Sequence, residues 1–322
     1  MKGIFAEKYR PSSFDEIIGQ EHVIKYIKKF VENDNIPHML FSGPAGTGKT
    51  TTAKALVKEL YGDEWRMYYL EENASDDNSV DNIRTKIKDY ARTKVIDRDF
   101  KIIFFDEADY LTKNSQAALR RIMEIHSDKC RFIFSCNYPN KIIDPIVDRC
   151  VVFRFKKIDS SVIKLALEKI IDKEDIDIDK SATHLLATLS NGSMRRALNT
   201  LQTLKMSNIQ NIDDNVIYET VHYINDDFVR QILKNIQQND FNAVEKRLDF
   251  LLYDKVYSSE EIIESLYRLI KESEVFPDSF KVLGLKQLGE IEFRIAMNAR
   301  PDIQLKSFFA YLIYKWSKYE KN

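Results

Sequence analysis

Apolar residues recur along this chain at two alternating intervals. Val23, Ile24, Ile27 and Val31 fall on one face at helical spacing, which predicts a helix over 21–32. HMLFSG (38–43) is a short apolar run that stops at glycine and reads as a strand. TTAKALVKEL returns to helical spacing, with Ala53, Leu56, Val57 and Leu60 on one side. RMYYLE (66–71) reads as a second strand. Residues 79–94 then form a helix with Val80, Ile83, Ile87 and Ala91 inward. KIIFFDEAD (101–109) is an apolar strand ending in acids. SQAALRRIMEIH is a helix that Thr112 or Asn114 can cap. CRFIFSCN (130–137) and VVFRF (151–155) complete the strands; Val151, Val152, Phe153 and Phe155 are expected to be buried.

Strand alternates with helix, and several strands are apolar throughout. That argues for an α/β fold whose parallel sheet is covered on both faces. Near residue 157 the alternation stops and only helices follow, the later ones at 226–238, 241–253, 259–273, 279–298 and 303–319. The predicted division is an α/β domain over 1–159, a small helical domain over 160–225 and an all-α domain over 226–322.

Charge narrows the choice of partners. Lys plus Arg number 49 and Asp plus Glu 50, so no global field attracts nucleic acid. A local patch has to do so instead. Arg84, Lys88 and Arg92 recur every four residues on the face of the 79–94 helix opposite Ile83, Ile87 and Ala91. Residues 79–101 hold seven Lys/Arg against four Asp/Glu. Such a stripe can follow phosphates without reading bases, and it also fits a plain solvated face. The cysteines Cys130, Cys136 and Cys150 form no C-x-x-C pair, which argues against zinc and fits a reducing compartment. The first residues lack a signal-peptide core, and no apolar run approaches the ~18 residues of a membrane span. The expectation is an intracellular protein without a membrane partner.

GPAGTGKT (43–50) carries the chemistry. It matches G-x-x-x-x-G-K-[ST] and sits between a predicted strand and a predicted helix, the context in which the pattern binds phosphate. The loop of Gly43, Pro44, Ala45, Gly46, Thr47 and Gly48 is expected around the phosphates, where Gly46 and Gly48 let backbone N–H groups turn inward, helped by the helix N-terminus. Lys49 is expected on the β- and γ-phosphates, Thr50 on Mg²⁺ and Thr51 on phosphate. IIFFDEAD delivers Asp106, a second Mg²⁺ ligand, to a strand end, followed by Glu107 to orient or deprotonate water. Asn137, at the end of FSCN, is expected beside the γ-phosphate. ATP and Mg²⁺ are therefore the expected cofactors, and hydrolysis the expected reaction.

These motifs, in this order, resemble the AAA+ clamp-loader ATPases, specifically the small-subunit family of replication factor C. The stretches that carry the resemblance are EKYRP (7–11), IIGQ (17–20), GPAGTGKTT (43–51), NASDDNSVDNIR (73–84), FFDEADYLTKNSQAALRRIME (104–124), FSCNY (134–138), DRC (148–150) and GSMRRALNTLQ (192–202). The resemblance spans nearly the whole chain. It implies a P-loop sheet domain, a helical lid and an all-α collar for oligomerisation. It implies that Arg149 reaches in trans into the ATP site of an adjacent subunit, with Asp148 where the family has serine. Arg195 matches the family's second sensor arginine, acting in cis from the lid. Tyr9, Arg10, Pro11, Ile18 and Gly19 are implied around adenine and ribose. DNA contacts are implied at Arg84, Lys88 and Arg92 and, more weakly, at Ser79, Ser115 and Gln116. Clamp contacts are implied around 91–100 and 110–114. QLKSFF (304–309) lacks the spacing of a clamp-binding peptide and reads as helix core.

The implied partners are a clamp-loader large subunit, further small subunits that complete a set of five, a ring-shaped sliding clamp and primer–template DNA. The compartment is the cytoplasm, or the nucleus in a eukaryote. Two other readings fit the phosphate motif: another DNA-acting AAA+ motor, such as one for branch migration, and a scaffold subunit that presents Arg149 without hydrolysing ATP.

Overall fold

The computed structural model describes residues 3–75, 80–93, 100–221, 223–274 and 276–319. Five strands, β1 (Met39–Ser42), β2 (Tyr69–Asn73), β3 (Lys101–Asp106), β4 (Cys130–Cys136) and β5 (Val151–Arg154), form a parallel sheet in the order β2-β3-β4-β1-β5. Helices α1 (Phe5–Lys8) and α2 (Glu21–Glu32) precede β1. Then α3 (Lys49–Tyr61), α4 (Val80–Arg92) and α5 (Lys113–Ile125) follow β1, β2 and β3, and the short α6 (Asp144–Val147) precedes β5.

Strand side chains alternate between two cores, as the two-residue period requires. Ile102 and Phe104 of β3 join Ile133 of β4 in a core with Ile27 of α2 and Leu56 and Val57 of α3. Ile103 and Phe105 join Phe132 and Phe134 in a second core with Ile87 of α4 and Leu119 and Met123 of α5. Both faces are covered, so the middle of β3, Ile102–Phe105, and Phe132–Phe134 of β4 are apolar at every position. The buried Lys101 closes α4: its Nζ donates to the carbonyls of Tyr90 (3.2 Å) and Thr93 (2.9 Å), a cation at the negative end of a helix.

Two boundaries and the burial of one strand differ from the sequence-based expectation. Gly62 (φ +58°) ends α3, and Gly62–Met67 coils as a 3₁₀ turn, so β2 starts at Tyr69 rather than residue 66. β5 lies at the sheet edge with β1 as its neighbour. Val151 and Val152 are 37% and 40% exposed there, and only Phe153 and Phe155 are buried. The expected helix over 241–253 is an α-helix, Phe241–Asp249, continued by a π-helical turn, Phe250–Asp254.

By compactness the chain forms two units, Met1–Asp214 and Asn215–Asn322. The first also contains α7 (Ser160–Glu174), α8 (Lys180–Leu189) and α9 (Met194–Met206). The second holds α11 (Asp226–Gln237), α12 (Phe241–Asp249), α13 (Ser259–Glu272), α14 (Asp278–Ala296) and α15 (Pro301–Tyr319), after α10 (Asp214–Thr220) has led into it. Its core gathers Ile232, Leu248, Leu266, Ile291 and Leu312 around Phe308, Phe309 and Trp316. Leu305, Phe308 and Phe309 of QLKSFF are thus core residues of α15.

His38, just ahead of β1, gives the first unit a pH dependence. Its Nδ1 accepts the backbone N–H of Phe132 (3.1 Å), so the ring works as a neutral acceptor. Burial, reinforced by the Arg131 guanidinium, pushes its pKa down to about 4. The unfolded chain binds a proton near pH 6.5, so the folded state is favoured fully above that pH and progressively less down to about 4. On the order of 3 kcal/mol depends on this group, about 2 of it lost by pH 5. Urea unfolding at pH 7 and pH 5 measures the loss, and the difference should shrink in His38→Gln.

Candidate active site

The carboxyl ends of β1, β3 and β4 lie side by side, with Ser42 of β1 opposite Cys136 of β4 and Phe105 of β3 opposite Phe134 of β4. The residues that leave these strands, Gly43, Asp106–Glu107 and Asn137, therefore emerge together. This is the edge where ligands of parallel sheets bind.

A cavity opens there. Its lining includes Tyr9, Arg10, Pro11 and Ile18, the loop residues Ala45, Gly46, Thr47, Gly48, Lys49, Thr50 and Thr51, then Asp106, Glu107 and Asn137, and finally Arg195. Gly19, Gly43 and Pro44 do not line it. Gly43 and Pro44 instead give their carbonyls to Lys49 Nζ at 2.7 and 2.9 Å. The same ammonium donates to Asn137 Oδ1 at 3.0 Å. Burial lowers the Lys49 pKa, against the opposing pull of Asp106. Lys49 is thus a dehydrated cation held at the loop by neutral acceptors, ready for a stronger anionic partner.

Thr50 Oγ1 donates to Asp106 Oδ2 at 2.7 Å. A hydroxyl and a carboxylate side by side suit Mg²⁺, which takes one or two protein oxygens and completes its shell with water and phosphate. Among the described residues no cluster of three or more His, Cys, Asp or Glu could hold a metal without such help. The other Asp106 oxygen, Oδ1, accepts the N–H of Glu107 at 3.0 Å. Glu107 has φ +54°, a left-handed conformation that costs a non-glycine residue on the order of 1 kcal/mol. It starts a 3₁₀ turn, Ala108–Tyr110, and this sharp exit from β3 keeps Glu107 in the cavity wall.

The helices after β5 close over the loop. Ser193 caps α9 by accepting from Arg196 N, and Met194 N donates to Gly46 O at 3.1 Å. Arg195 therefore enters the cavity lining from a helix start fastened to the loop. The N-terminal stretch is tied to the same helices. Phe5 N donates to Gln202 Oε1 of α9 at 2.8 Å, while Lys8, Tyr9 and Lys205 all donate to the Glu174 carboxylate at the end of α7. Lys205, then Lys8 and Tyr9, hold the Glu174 pKa down to about 2.

Several residues at the site were not picked out by their sequence. Gln20 is fully buried and bridges the loop to the end of β5, donating to Thr47 O and Lys156 O and accepting from Lys156 N. Its place at the end of IIGQ was the available signal. Ile158, Met194 and Leu198 add apolar lining, the last two one turn apart around Arg195. Asp109 is 5% exposed and accepts the backbone N–H of Asn137 at 3.3 Å.

Arg149 does not line this cavity; Glu124 and the Pro145 carbonyl hold its guanidinium. On α4, Ile87 and Ala91 are buried, Lys88 is partly exposed and Arg92 is exposed. Ser79, the side chain of Arg84 and residues 94–99 lie outside the described residues. Ser115 and Gln116 need correction as DNA contacts, since each is 1% exposed. Ser115 Oγ is engaged with Thr112, the N-cap of α5. Gln116 donates to the carbonyls of Leu111 and Lys141 and accepts from Ile143 N. These side chains serve the interior.

Comparison with known proteins agrees with this geometry. Residues 39–158 match the model of the ATPase family associated with various cellular activities (AAA). Residues 165–206 match an RCF1/5-like AAA+ ATPase lid domain, and 224–311 the replication factor C C-terminal domain. The replication factor C small subunit of Archaeoglobus fulgidus is 43% identical over 310 residues, covering 96% of this chain and 97% of that protein. The namesake from Methanococcus vannielii is 42% identical, with 96% and 98% coverage, and that from Staphylothermus marinus 40% identical, with 98% and 96%. Among solved structures, the Thermotoga maritima RuvB Holliday junction branch migration motor superposes with a TM-score of 0.55. It is 20% identical and covers 80% of this chain and 92% of its own, a likeness of fold alone. The sheet and loop thus define an AAA ATPase. Within that class, the chain belongs to the replication factor C small-subunit family, the clamp-loader ATPases. No helix among the described residues is long and apolar enough to cross a membrane.

Proposed function

We propose that this chain is a Mg²⁺-dependent ATPase subunit that, in an oligomer, opens a ring-shaped sliding clamp and loads it onto primer–template DNA. The observation that carries the reading is the convergence of Lys49, Thr50, Asp106, Glu107, Asn137 and Arg195 on one cavity, in a chain of clamp-loader family. Tyr9, Arg10, Pro11 and Ile18 take the adenosine end, with Gly19 behind them. The 43–51 loop takes the phosphates. Thr50 and Asp106 hold Mg²⁺, which offsets phosphate charge. Asn137 is already bonded to Lys49 and fixes the γ-phosphate end. Glu107 orients and deprotonates water, and Arg195 reports the γ-phosphate to the lid.

Arg149 serves the site of a neighbouring subunit. Guanidinium spreads its charge over a fork matched to phosphoryl oxygens, and a trans arginine makes hydrolysis conditional on assembly. We take 1–159, 160–225 and 226–322 as sheet, lid and collar domains. The partners are a large subunit and further small subunits, five in all, with the clamp and primed DNA. Arg84, Lys88 and Arg92 form the DNA-facing stripe, and residues 91–100 and 110–114 face the clamp. The compartment is the cytoplasm, or the nucleus in a eukaryote.

The test is steady-state ATP hydrolysis by the assembled oligomer on primed DNA, with and without the ring clamp, and on a four-way junction. Stimulation by primed DNA that rises again with clamp is expected. Stimulation by the junction with indifference to the clamp would replace this reading with a branch-migration motor.

A further inference from the structure

Arg149 is held at two points on its own subunit. Its NH1 donates to the Pro145 carbonyl of α6 at 2.7 Å, and its NH2 pairs with Glu124 Oε1 of α5 at 2.5 Å. Arg120 Nε lies 3.6 Å from the same Glu124 oxygen. Asp148 is adjacent in sequence, yet no Asp148–Arg149 ion pair occurs among the described residues; the carboxylate that holds the arginine comes from 25 positions upstream.

Glu124 occupies the last turn of α5, where unpaired carbonyls disfavour negative charge, and no basic residue shares that turn. The ion pair itself is 39% and 38% exposed, so solvent screens it. The Arg120–Glu124 pair, four residues apart on α5, offsets little of that helix-end repulsion, and the exposed pair with Arg149 adds little to net stability. What the contact does supply is direction. Two of the guanidinium's N–H groups are spent on Pro145 and Glu124, and the remaining ones are left for an outside acceptor. A free arginine side chain loses rotamer entropy when it docks, and prior fixing removes much of that cost.

We propose that Glu124 is a positioning residue for Arg149: its carboxylate oxygen holds the guanidinium at the angle from which its remaining N–H groups meet a phosphoryl group bound by the neighbouring subunit. This rests on the trans reading of Arg149. Because Glu124 also touches Arg120, the pair of arginines leaves a net positive charge when Arg149 engages phosphate.

The experiment is ATP turnover by the assembled oligomer of full-length chains carrying Arg149→Ala, Glu124→Ala or Glu124→Gln, alone and mixed with Lys49→Ala chains. Glu124→Ala is expected to lower kcat about tenfold, with KM for ATP within about twofold, a smaller loss than Arg149→Ala. Glu124→Gln, whose amide oxygen still accepts from the guanidinium, should recover most of the loss. Mixing Glu124→Ala with Lys49→Ala chains should raise turnover per intact P-loop, because the Lys49→Ala chain brings a well-held Arg149 to its neighbour. Arg149→Ala at parental turnover would sink the trans arginine and this proposal with it. A slow Arg149→Ala beside a fully active Glu124→Ala would sink the positioning role alone. So would a Glu124→Gln as slow as Glu124→Ala, or a mixture with no gain, which would put the effect of Glu124 in its own subunit. Thermal unfolding of both Glu124 variants close to the parent separates these losses from a folding defect.

Discussion

Replacing Glu107 by Gln is expected to slow ATP turnover by roughly a hundredfold or more while leaving ATP affinity within about twofold of the parent. The change keeps the size and shape of the side chain and removes only its capacity to accept a proton. The backbone N–H of residue 107 still donates to Asp106, so the Thr50–Asp106 pair keeps its support. Single-turnover hydrolysis and nucleotide titration measure the two quantities separately. Unchanged turnover would remove Glu107 as the base and favour the scaffold reading. Loss of affinity together with turnover would show that the left-handed turn at Glu107 had collapsed.

Gly46→Ala is expected to weaken nucleotide binding by roughly thirtyfold or more. Gly46 has φ +75°, and a Cβ there would lie 2.0 Å from Ser193 Oγ, 3.1 Å from Ser193 Cβ and 3.3 Å from Arg195 Cβ. The left-handed conformation alone costs alanine about 1 kcal/mol, and the lost Met194–Gly46 bond costs about as much again. The start of α9 would move off the loop and take Arg195 with it. A second change, Ser193→Gly, removes the two closest atoms at a cost of only a few tenths of a kcal/mol in capping. The double variant should therefore bind better than Gly46→Ala alone. Equal binding by Gly46→Ala and the parent would mean that the lid bears nucleotide without touching the loop.

Much of the first unit is legible because parallel strands buried on both faces leave apolar runs, and GPAGTGKT and IIFFDEAD mark where they end. Edge effects are less visible. VVFRF has the composition of a central strand, but only its place in the sheet decides that Val151 and Val152 stay exposed. RMYYLE includes two residues of a 3₁₀ turn because β-propensity says nothing about a glycine four residues earlier. Ser115 and Gln116 look like polar surface at a helix start. Burial becomes apparent only when the carbonyls of Leu111 and Lys141 and the N–H of Ile143 are seen around Gln116. Glu124 and Glu174 escape notice for a related reason. Their partners, Arg149 and the trio Lys8, Tyr9 and Lys205, are distant in sequence, and local spacing carries no trace of such pairings.

The Glu174 junction has a bearing on how product leaves. Phe5 and Tyr9 are fastened to α9 and α7, whereas Lys49, Thr50 and Asp106 belong to the sheet and its loop. If α7 and α9 swing as a lid, they would carry part of the proposed base-side wall away and leave the phosphate floor behind. The pocket would then part like the covers of a book, with a nucleotide lying across the spine. An occupant that bridges both covers keeps them shut, and one that grips a single cover goes free once they separate. On the proposed reading, losing the γ-phosphate would shorten the reach of the bound molecule, so hydrolysis itself would loosen its grip on the two covers.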